Sequence, residues 1–394
     1  MSERHRVCVV VASRANYARI KTALEAIRDH PELQLQIVAG ASLVLERFGN
    51  AIDVMSADGF EPDATIRFII EGETPTTMAK STGLGLLELP TVFELLRPDI
   101  VVTVADRFET ISTAIAAAYM NIPVAHTQGG EISGSIDESV RHAVTKLSHL
   151  HFPATELAAR RVVGMGEDPA NVFNVGCPSI DLVARADLGL RSEVLAEFGG
   201  VGGPIDPEKP FILMMQHPVT TEYGHGFDQI NQTLEAVASL GMQAIVFWPN
   251  VDAGSEHVAK GIRRFRELGR DHGFHFFRNL APEIFVKLMA HCACMVGNSS
   301  AAIREGAFLG TPAVTVGTRQ QGRERGPNVI ELSHDPAEIA DAVGEQIAHG
   351  PYASNPLYGD GTAGKRIADV LATARPAVQK RLQLDAVELT ATAP

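Results

Sequence analysis

The chain has 394 residues, with 34 Lys plus Arg against 47 Asp plus Glu and a formal net charge of −13. Hydrophobic residues make up 45% and charged residues 21%, which excludes a wholly disordered chain. The acidity argues against nucleic acid as a partner, because phosphate contacts need concentrated Lys and Arg, but a helix N-terminus and a few arginines can still hold one phosphate group.

Cys8, Cys177, Cys292 and Cys294 are too few and too scattered for a disulfide framework and imply reduced thiols in a cytoplasmic protein. Cys292 and Cys294 have no second Cys or His pair at zinc spacing, so no metal is expected. The segment MSERHRVCVVVAS does not read as a signal peptide. No run reaches the ~18 apolar residues of a membrane helix, so no membrane partner is expected.

In chain order, strands are expected at 6–13, 33–40, 99–104 and 122–126, with helices near 17–28 and 113–121. Gly83-Leu84-Gly85 lacks the third glycine of a dinucleotide fingerprint and reads as helix packing. Ser135 and Glu138 match a capping box opening a helix that carries Val140, Val144 and Leu147, and Asp137 and Arg141 fall four apart on it. The segment GGVGGPIDPEKP (199–210) has a linker's composition. Strands then recur at 211–216, 244–249, 292–296 and 312–316, with helices near 227–240, 255–273, 282–290 and 336–348. Val/Ile runs alternating with helices indicate an α/β fold: two Rossmann-like domains with parallel sheets and the active site in the cleft between them. The expected division is 1–200, 201–375 and a terminal 376–394.

In open parallel sheets ligands bind beyond the carboxyl ends of the strands. The polar residues there are Arg14, Asp106, Arg107, Gln128, Glu131, His217, Asn250, Asp252, Asn298, Ser299, Ser300 and Arg319. Any one of these turns could be an ordinary cap, but so many facing one cleft argue for a site. Ser299 or Ser300 would cap a helix beginning near Ala301, and a diphosphate there would accept its free N–H groups. Arg14 and Arg319 are candidates to neutralise the outer oxygens. His142, His149 and His151 read as structural, whereas His217, before Pro218, is the better candidate for proton transfer or phosphate contact. No Walker A loop is present, and no cofactor is expected.

The segments HTQGGEISGSIDESVRHAVTKLSHLHF (126–152), ADRFE (105–109), QHPVTTE (216–222), FWPNVDAGS (247–255) and GNSSAAIREGAFLGTPAVTVGTRQQGRE (297–324) resemble the UDP-N-acetylglucosamine 2-epimerases, over about residues 5–375. The resemblance is closest to the hydrolysing branch, which forms N-acetylmannosamine for sialic acid or related sugars for legionaminic acid. It implies a glycosyltransferase-B-like fold whose last helix, about 364–385, crosses back to the first domain. It also implies a UDP-sugar substrate and a homodimer or homotetramer. By resemblance Arg14, Ser299, Ser300, Glu305 and Arg319 belong to the nucleotide and ribose region, with Asn250, Asp252 and Asn298 beside them. Arg107 and Arg141 line the sugar side, and Asp106, Asp137, His217, Gln128 and Glu131 form the acid/base neighbourhood. Three positions depart from the family: Asn16 and Gln128 stand where the family has Asp and Glu, and Ala105 where it has Gly. An amide at 128 cannot take up a proton. The readings left open are a hydrolysing epimerase, an epimerase that retains UDP on its product, a nucleotide-sugar binder with impaired turnover, and a glycosyltransferase.

Overall fold

In the computed structural model, which describes residues 4–49, 51–190 and 199–383, the apolar runs pair into two sheets. The first contains β1 (His5–Val11), β2 (Leu33–Ala39), β3 (Ala64–Thr65), β4 (Ile100–Val104), β5 (Val124–Thr127) and β6 (Leu150–Phe152). All are parallel, in the order β3-β2-β1-β4-β5-β6. The second contains β7 (Val201–Gly202), β8 (Phe211–Met215), β9 (Gln243–Phe247), β10 (Phe274–Phe277), β11 (Cys294–Gly297), β12 (Ala313–Val316) and β13 (Val329–Leu332). Its order is β13-β12-β11-β8-β9-β10-β7, parallel except for β7 on β10. Every residue of β4 and β8 is buried, as continuous Val/Ile/Leu/Met runs require when helices cover both sheet faces.

Strand order reverses at β1/β4 in the first sheet and at β8/β11 in the second. Such switch points open a crevice at the strands' carboxyl ends. Each expected strand is present. Five short ones, β3, β6, β7, β10 and β13, were not anticipated; β10 (FHFF) follows a helix that ends at Glu267, short of the expected 273. The helix expected near 17–28 is broken into Arg14–Ala18 and Lys21–Asp29. A long helix, Pro75–Leu96, holds Gly83 and Gly85, and a Cβ on Gly85 would stand 3.1 Å from the Phe68 ring, so this glycine serves close packing.

The last described helix, Ala363–Thr373, returns to the first half and stops well short of residue 385. Its Ile367, Ala368, Leu371 and Ala372 share a core with Val7, Val9, Leu24 and Ile27. A Cβ on Gly364 would lie 2.6 Å from the Thr22 backbone, so glycine permits the crossing. Residues 374–383 continue along the first half, where His149 Nε2 meets the Val378 carbonyl at 2.9 Å. The remainder of the expected 376–394 segment, from 384, lies outside the described residues.

Two local expectations need correction. The helix after Ser135 begins at Asp137, and the Glu138 carboxylate accepts from the Ser133 N–H at 2.8 Å rather than closing a box on Ser135. No long helix starts at Ala301: residues 300–304 form turns and a five-residue helix begins at Glu305. A short helix has little macrodipole, so positive charge at this segment must come from side chains.

One departure from the family acquires a physical reason, and another is the less favourable residue for its backbone. Asn16 Nδ2 donates to the Val104 carbonyl at 3.1 Å, a bond that Asp could not make. Ala105 has φ 61°, in the left-handed region where glycine is unstrained. Asn16→Asp should therefore lower unfolding free energy by about 1–3 kcal/mol, from a lost buried donor facing a carbonyl. Urea unfolding at neutral pH checks this, and an unchanged midpoint would contradict it.

Candidate functional site

One cavity lies between the two halves, beyond the carboxyl ends of β1, β4, β8, β9 and β11. From the first half it is lined by Arg14, Tyr17, Arg19, Asp106, Arg107, Ser133 and Asp137. From the second half come Met215, His217, Phe247, Asn250, Leu280, Phe285, Ser299, Ser300, Glu305, Arg319 and Arg323. The lining is thus an apolar wall of Met215, Phe247, Leu280 and Phe285 facing a polar wall rich in arginine. That combination suits a flat heterocycle joined to an anion.

The arginines are held in place before any ligand arrives. Arg14 reaches across the seam, with Nη2 3.3 Å from Asn250 Oδ1 and 3.4 Å from the Trp248 carbonyl. Arg19 Nη2 donates to Ser300 Oγ at 2.6 Å. Arg107 is paired on both sides, to Glu109 at 2.8 Å and to Asp252 of the other half at 2.9 Å. Arg319 Nη2 lies 3.7 Å from Asp137. Burial, reinforced by Arg107, pushes Arg14 down to about 10. Burial and neighbouring Arg304 push Arg19 down to about 10 as well, against the pull of Asp106. Burial likewise lowers Arg323 despite nearby Glu131. Three cations on the cavity wall, Arg323 buried and Arg14 and Arg19 half-buried, are thus held below their ordinary proton affinity, which favours an anionic occupant.

The two cavity carboxylates differ sharply. Asp106 is 4% exposed and accepts from Arg141 at 2.5 and 3.0 Å. Burial alone would raise its pKa, but Arg141, Arg19, Arg323 and Arg304 outweigh burial and hold it far below the usual carboxylate range. Asp137 is pushed up to about 6, first by burial and then by the charge of Asp106, against the pull of Arg319. The surroundings thus drive the proton affinities of the two carboxylates apart. His217 is neutral: burial and then Arg319, Arg14 and Arg107 press its pKa well down. Its Nδ1 accepts the Asn250 N–H at 3.3 Å, which leaves the ring proton on Nε2 as a donor.

Several sequence candidates stand behind the cavity wall. Arg141 is fully buried and spends its N–H groups on Asp106, Ser133, Glu138 and the Glu131 carbonyl, so it braces Asp106; it makes no pair with Asp137. The Asn298 amide is spent on the His217 backbone, at 2.7 and 2.8 Å. Asp252 is tied to Arg107. Gln128 and Glu131 both face Arg304. Sequence reading missed Arg19, Arg304 and Arg323. Arg19 lay only two residues past the Arg-Ala-Asn-Tyr motif, but nothing local distinguishes it from a solvated helix cation. Among the described residues no cluster of His, Cys, Asp and Glu could hold a metal ion, and no helix is long and apolar enough to cross a membrane.

The sheets, the connection back to the first half and the inter-domain cavity define a glycosyltransferase-B-like α/β protein. The family model for UDP-N-acetylglucosamine 2-epimerase matches residues 25–372, and the chain belongs to that family. It is 32% identical over 369 residues to UDP-N,N'-diacetylbacillosamine 2-epimerase (hydrolyzing) of Legionella pneumophila, covering 93% of this chain and 96% of that protein. It is 30% identical over 369 residues to the UDP-N-acetylglucosamine 2-epimerase of Neisseria meningitidis serogroup B, covering 93% and 94%. The crystal structure of the Neisseria meningitidis UDP-GlcNAc 2-epimerase bound to UDP-GlcNAc has the same fold, with a TM-score of 0.78 at 20% identity over 94% of this chain and 100% of that one. So does the Methanocaldococcus jannaschii enzyme in complex with UDP-GlcNAc and UDP, with a TM-score of 0.78 at 17% identity over 94% and 100%.

The arginine wall predicts where a diphosphate sits. Ser300→Ala combined with Arg319→Ala should weaken UDP binding roughly tenfold or more in calorimetry, as expected for lost charge-assisted hydrogen bonds. Unchanged affinity in the folded double variant would move the diphosphate elsewhere.

Proposed function

We propose that this chain eliminates UDP from UDP-N-acetylglucosamine or a close relative, inverts C2, and releases N-acetylmannosamine plus UDP. The observation that carries this reading is the opposed pair Asp106 and Asp137 in a cavity with under-neutralised arginines. The names of the Legionella and Neisseria relatives support the substrate class, and the Legionella one supports the hydrolysing outcome.

The C2 hydrogen is not acidic, so loss of the diphosphate must drive the step. In this reading the C1–O bond breaks with its electron pair going to the diphosphate. Arg19, Arg319, Arg323 and the Ser300 hydroxyl meet the charge as it develops. His217, neutral with its proton on Nε2, donates to a phosphate oxygen. Asp137 takes the C2 proton, leaving a C1=C2 glycal. Water then adds its oxygen to C1 and gives up one proton, a solvent-derived proton arrives on the opposite face of C2, and Asp137 returns its proton to solvent, so the step nets one water added across C1=C2. Asp106, held ionised by Arg141, is a fixed charge that positions arginines; its low proton affinity makes it a poor base.

Asp137 acts as a base when ionised, and a pKa of about 6 makes it mostly ionised at pH 7 and mostly protonated below 6. kcat/KM should therefore fall as pH drops through about 6, and Asp137→Asn should remove that limb with a loss of about 10²–10⁴-fold. Asp106→Asn should act differently, destabilising the fold by about 1–3 kcal/mol because buried Arg141 loses its Asp106 carboxylate and keeps only Glu138 as an ionic partner. A rate loss at 106 without loss of thermal stability would reverse these assignments.

A second reading has a specific observation behind it: the residue at 128 is an amide bonded to Arg304, so one acid/base group of the family is absent. The chain would then stall at the glycal or retain UDP on the product. Turnover of UDP-N-acetylglucosamine in D₂O, followed by NMR, separates the readings. The hydrolysing reading expects free N-acetylmannosamine with deuterium at C2. Accumulated glycal, or deuterated UDP-N-acetylmannosamine, would replace it with the second.

A further inference from the structure

Gln128 is 1% exposed and has φ 62°, a left-handed conformation that a side-chain-bearing residue adopts only when its surroundings enforce it. The surroundings here do so. Its N–H donates to the Phe152 carbonyl at 2.8 Å. A Cβ on Gly130 would lie 2.1 Å from the Ala158 carbonyl oxygen, and one on Gly129 would lie 3.0 Å from the His126 ring, so the loop that follows is packed without slack. The Gln128 amide is used at both ends: Oε1 accepts from Arg304 at 3.0 Å, and Nε2 approaches Cys177 Sγ at 3.4 Å. It has no free end to offer a sugar, and it does not line the cavity.

Arg304 is the counterpart from the other half. It is 1% exposed, and its fork spans the loop, with Nη1 on Gln128 and Nη2 on Glu131 at 2.5 Å. Its own backbone N–H donates to the Ser300 carbonyl at 3.0 Å, in the turn whose serine hydroxyl receives Arg19. Glu131 also pairs with Arg323 at 3.2 Å, and Arg323 lines the cavity. One planar, buried cation therefore joins the first-half loop 128–131 to the second-half segment 299–305. A lysine could not make this two-point contact.

We propose that Gln128 and Arg304 are positioning residues: Gln128 serves as the acceptor that docks Arg304, and the pair latches the two cavity walls together in the geometry that binds the diphosphate. The consequence for binding rests on the nucleotide-sugar reading above; the latch itself rests on the geometry alone. When a latch is lost, the binding-competent arrangement becomes a smaller fraction of the population. Apparent affinity then falls by that fraction, while turnover of the bound, closed form is little changed. A carboxylate at 128 would still accept from Arg304, whereas an aliphatic side chain would not.

The test compares Gln128→Leu, Arg304→Met, their double variant and Gln128→Glu. Hydrogen–deuterium exchange without ligand should show faster exchange in 128–134 and 299–305 for both single variants and the double. UDP calorimetry and KM should weaken roughly tenfold for Gln128→Leu, the loss of one charge-assisted hydrogen bond, and by more for Arg304→Met, which also loses the Glu131 pair, with kcat at saturation changed little for each. The double should be no worse than Arg304→Met alone, because the Gln128–Arg304 contact is already absent there, and Gln128→Glu should keep the affinity of the unaltered protein. Gln128→Leu is uncharged and close in volume, and it decides alone if Arg304→Met does not fold. Unchanged exchange and affinity in Gln128→Leu, additive losses in the double, or a kcat loss at 128 with none at 304 would overturn the latch. If the unaltered protein binds no UDP, the nucleotide-sugar reading fails and the exchange data still decide the latch.

Discussion

The structure depends most on the placing of a carboxylate, Asp106, among arginines drawn from both halves of the chain. Arg141 grips it from the helix Asp137–Leu147, Arg323 lies 3.9 Å away from the second half, and Arg19 lies 4.0 Å away. Burying any one of these charges alone would cost several kcal/mol, so the groups are stable only as a set. The set does not balance. Burial outweighs the available partners for Arg14, Arg19 and Arg323, and these three face the cavity. The fold thus carries an unmet demand for negative charge where the two sheets present their carboxyl ends. An anion that answers it finds its donors already oriented and loses little to reorganisation.

The same cluster sets the character of Asp137. The arginines around Asp106 hold its proton affinity far below the usual carboxylate range, and its charge acts on its neighbour. Asp137, half-buried within that field and offset only in part by Arg319 at 3.7 Å, has its proton affinity pushed up to about 6. Neither aspartate would behave this way in isolation; the difference belongs to the constellation.

Joining the halves is a problem distributed over several ties. Arg107 meets Asp252, Lys21 meets Glu283 at 2.5 Å, and Arg304 meets Glu131. The helix Ala363–Thr373 adds an apolar tie by packing into the core under β1. The polar ties cluster around the cavity and the apolar one lies away from it. Such a division keeps the halves together while the arrangement at the site stays sensitive to individual side chains.

The sequence by itself determined the layered α/β architecture, because continuous Val/Ile runs have only a doubly covered parallel sheet in which to bury both faces. It also determined which residues lie at the strands' carboxyl ends, and so the neighbourhood of the site: Arg14, Asp106, Arg107, His217, Asn250, Ser299, Ser300 and Arg319 all line one cavity. It gave no sign of the three-residue β6 or the aromatic β10, since strands so short leave no period to read. Only the tertiary structure decided what each polar side chain does. Asn298 and Asp252 sit at strand ends as expected, yet their groups are spent on the His217 backbone and on Arg107. Arg304 and Arg323 read locally as surface cations after the serine turn and after the last inner strand. They become interior only because the second half closes on the first and brings Gln128, Glu131 and Asp106 within reach. Pairing across some 170 positions leaves no trace in local pattern, because the electrostatic field that makes a buried arginine stable is created by residues that meet only after folding.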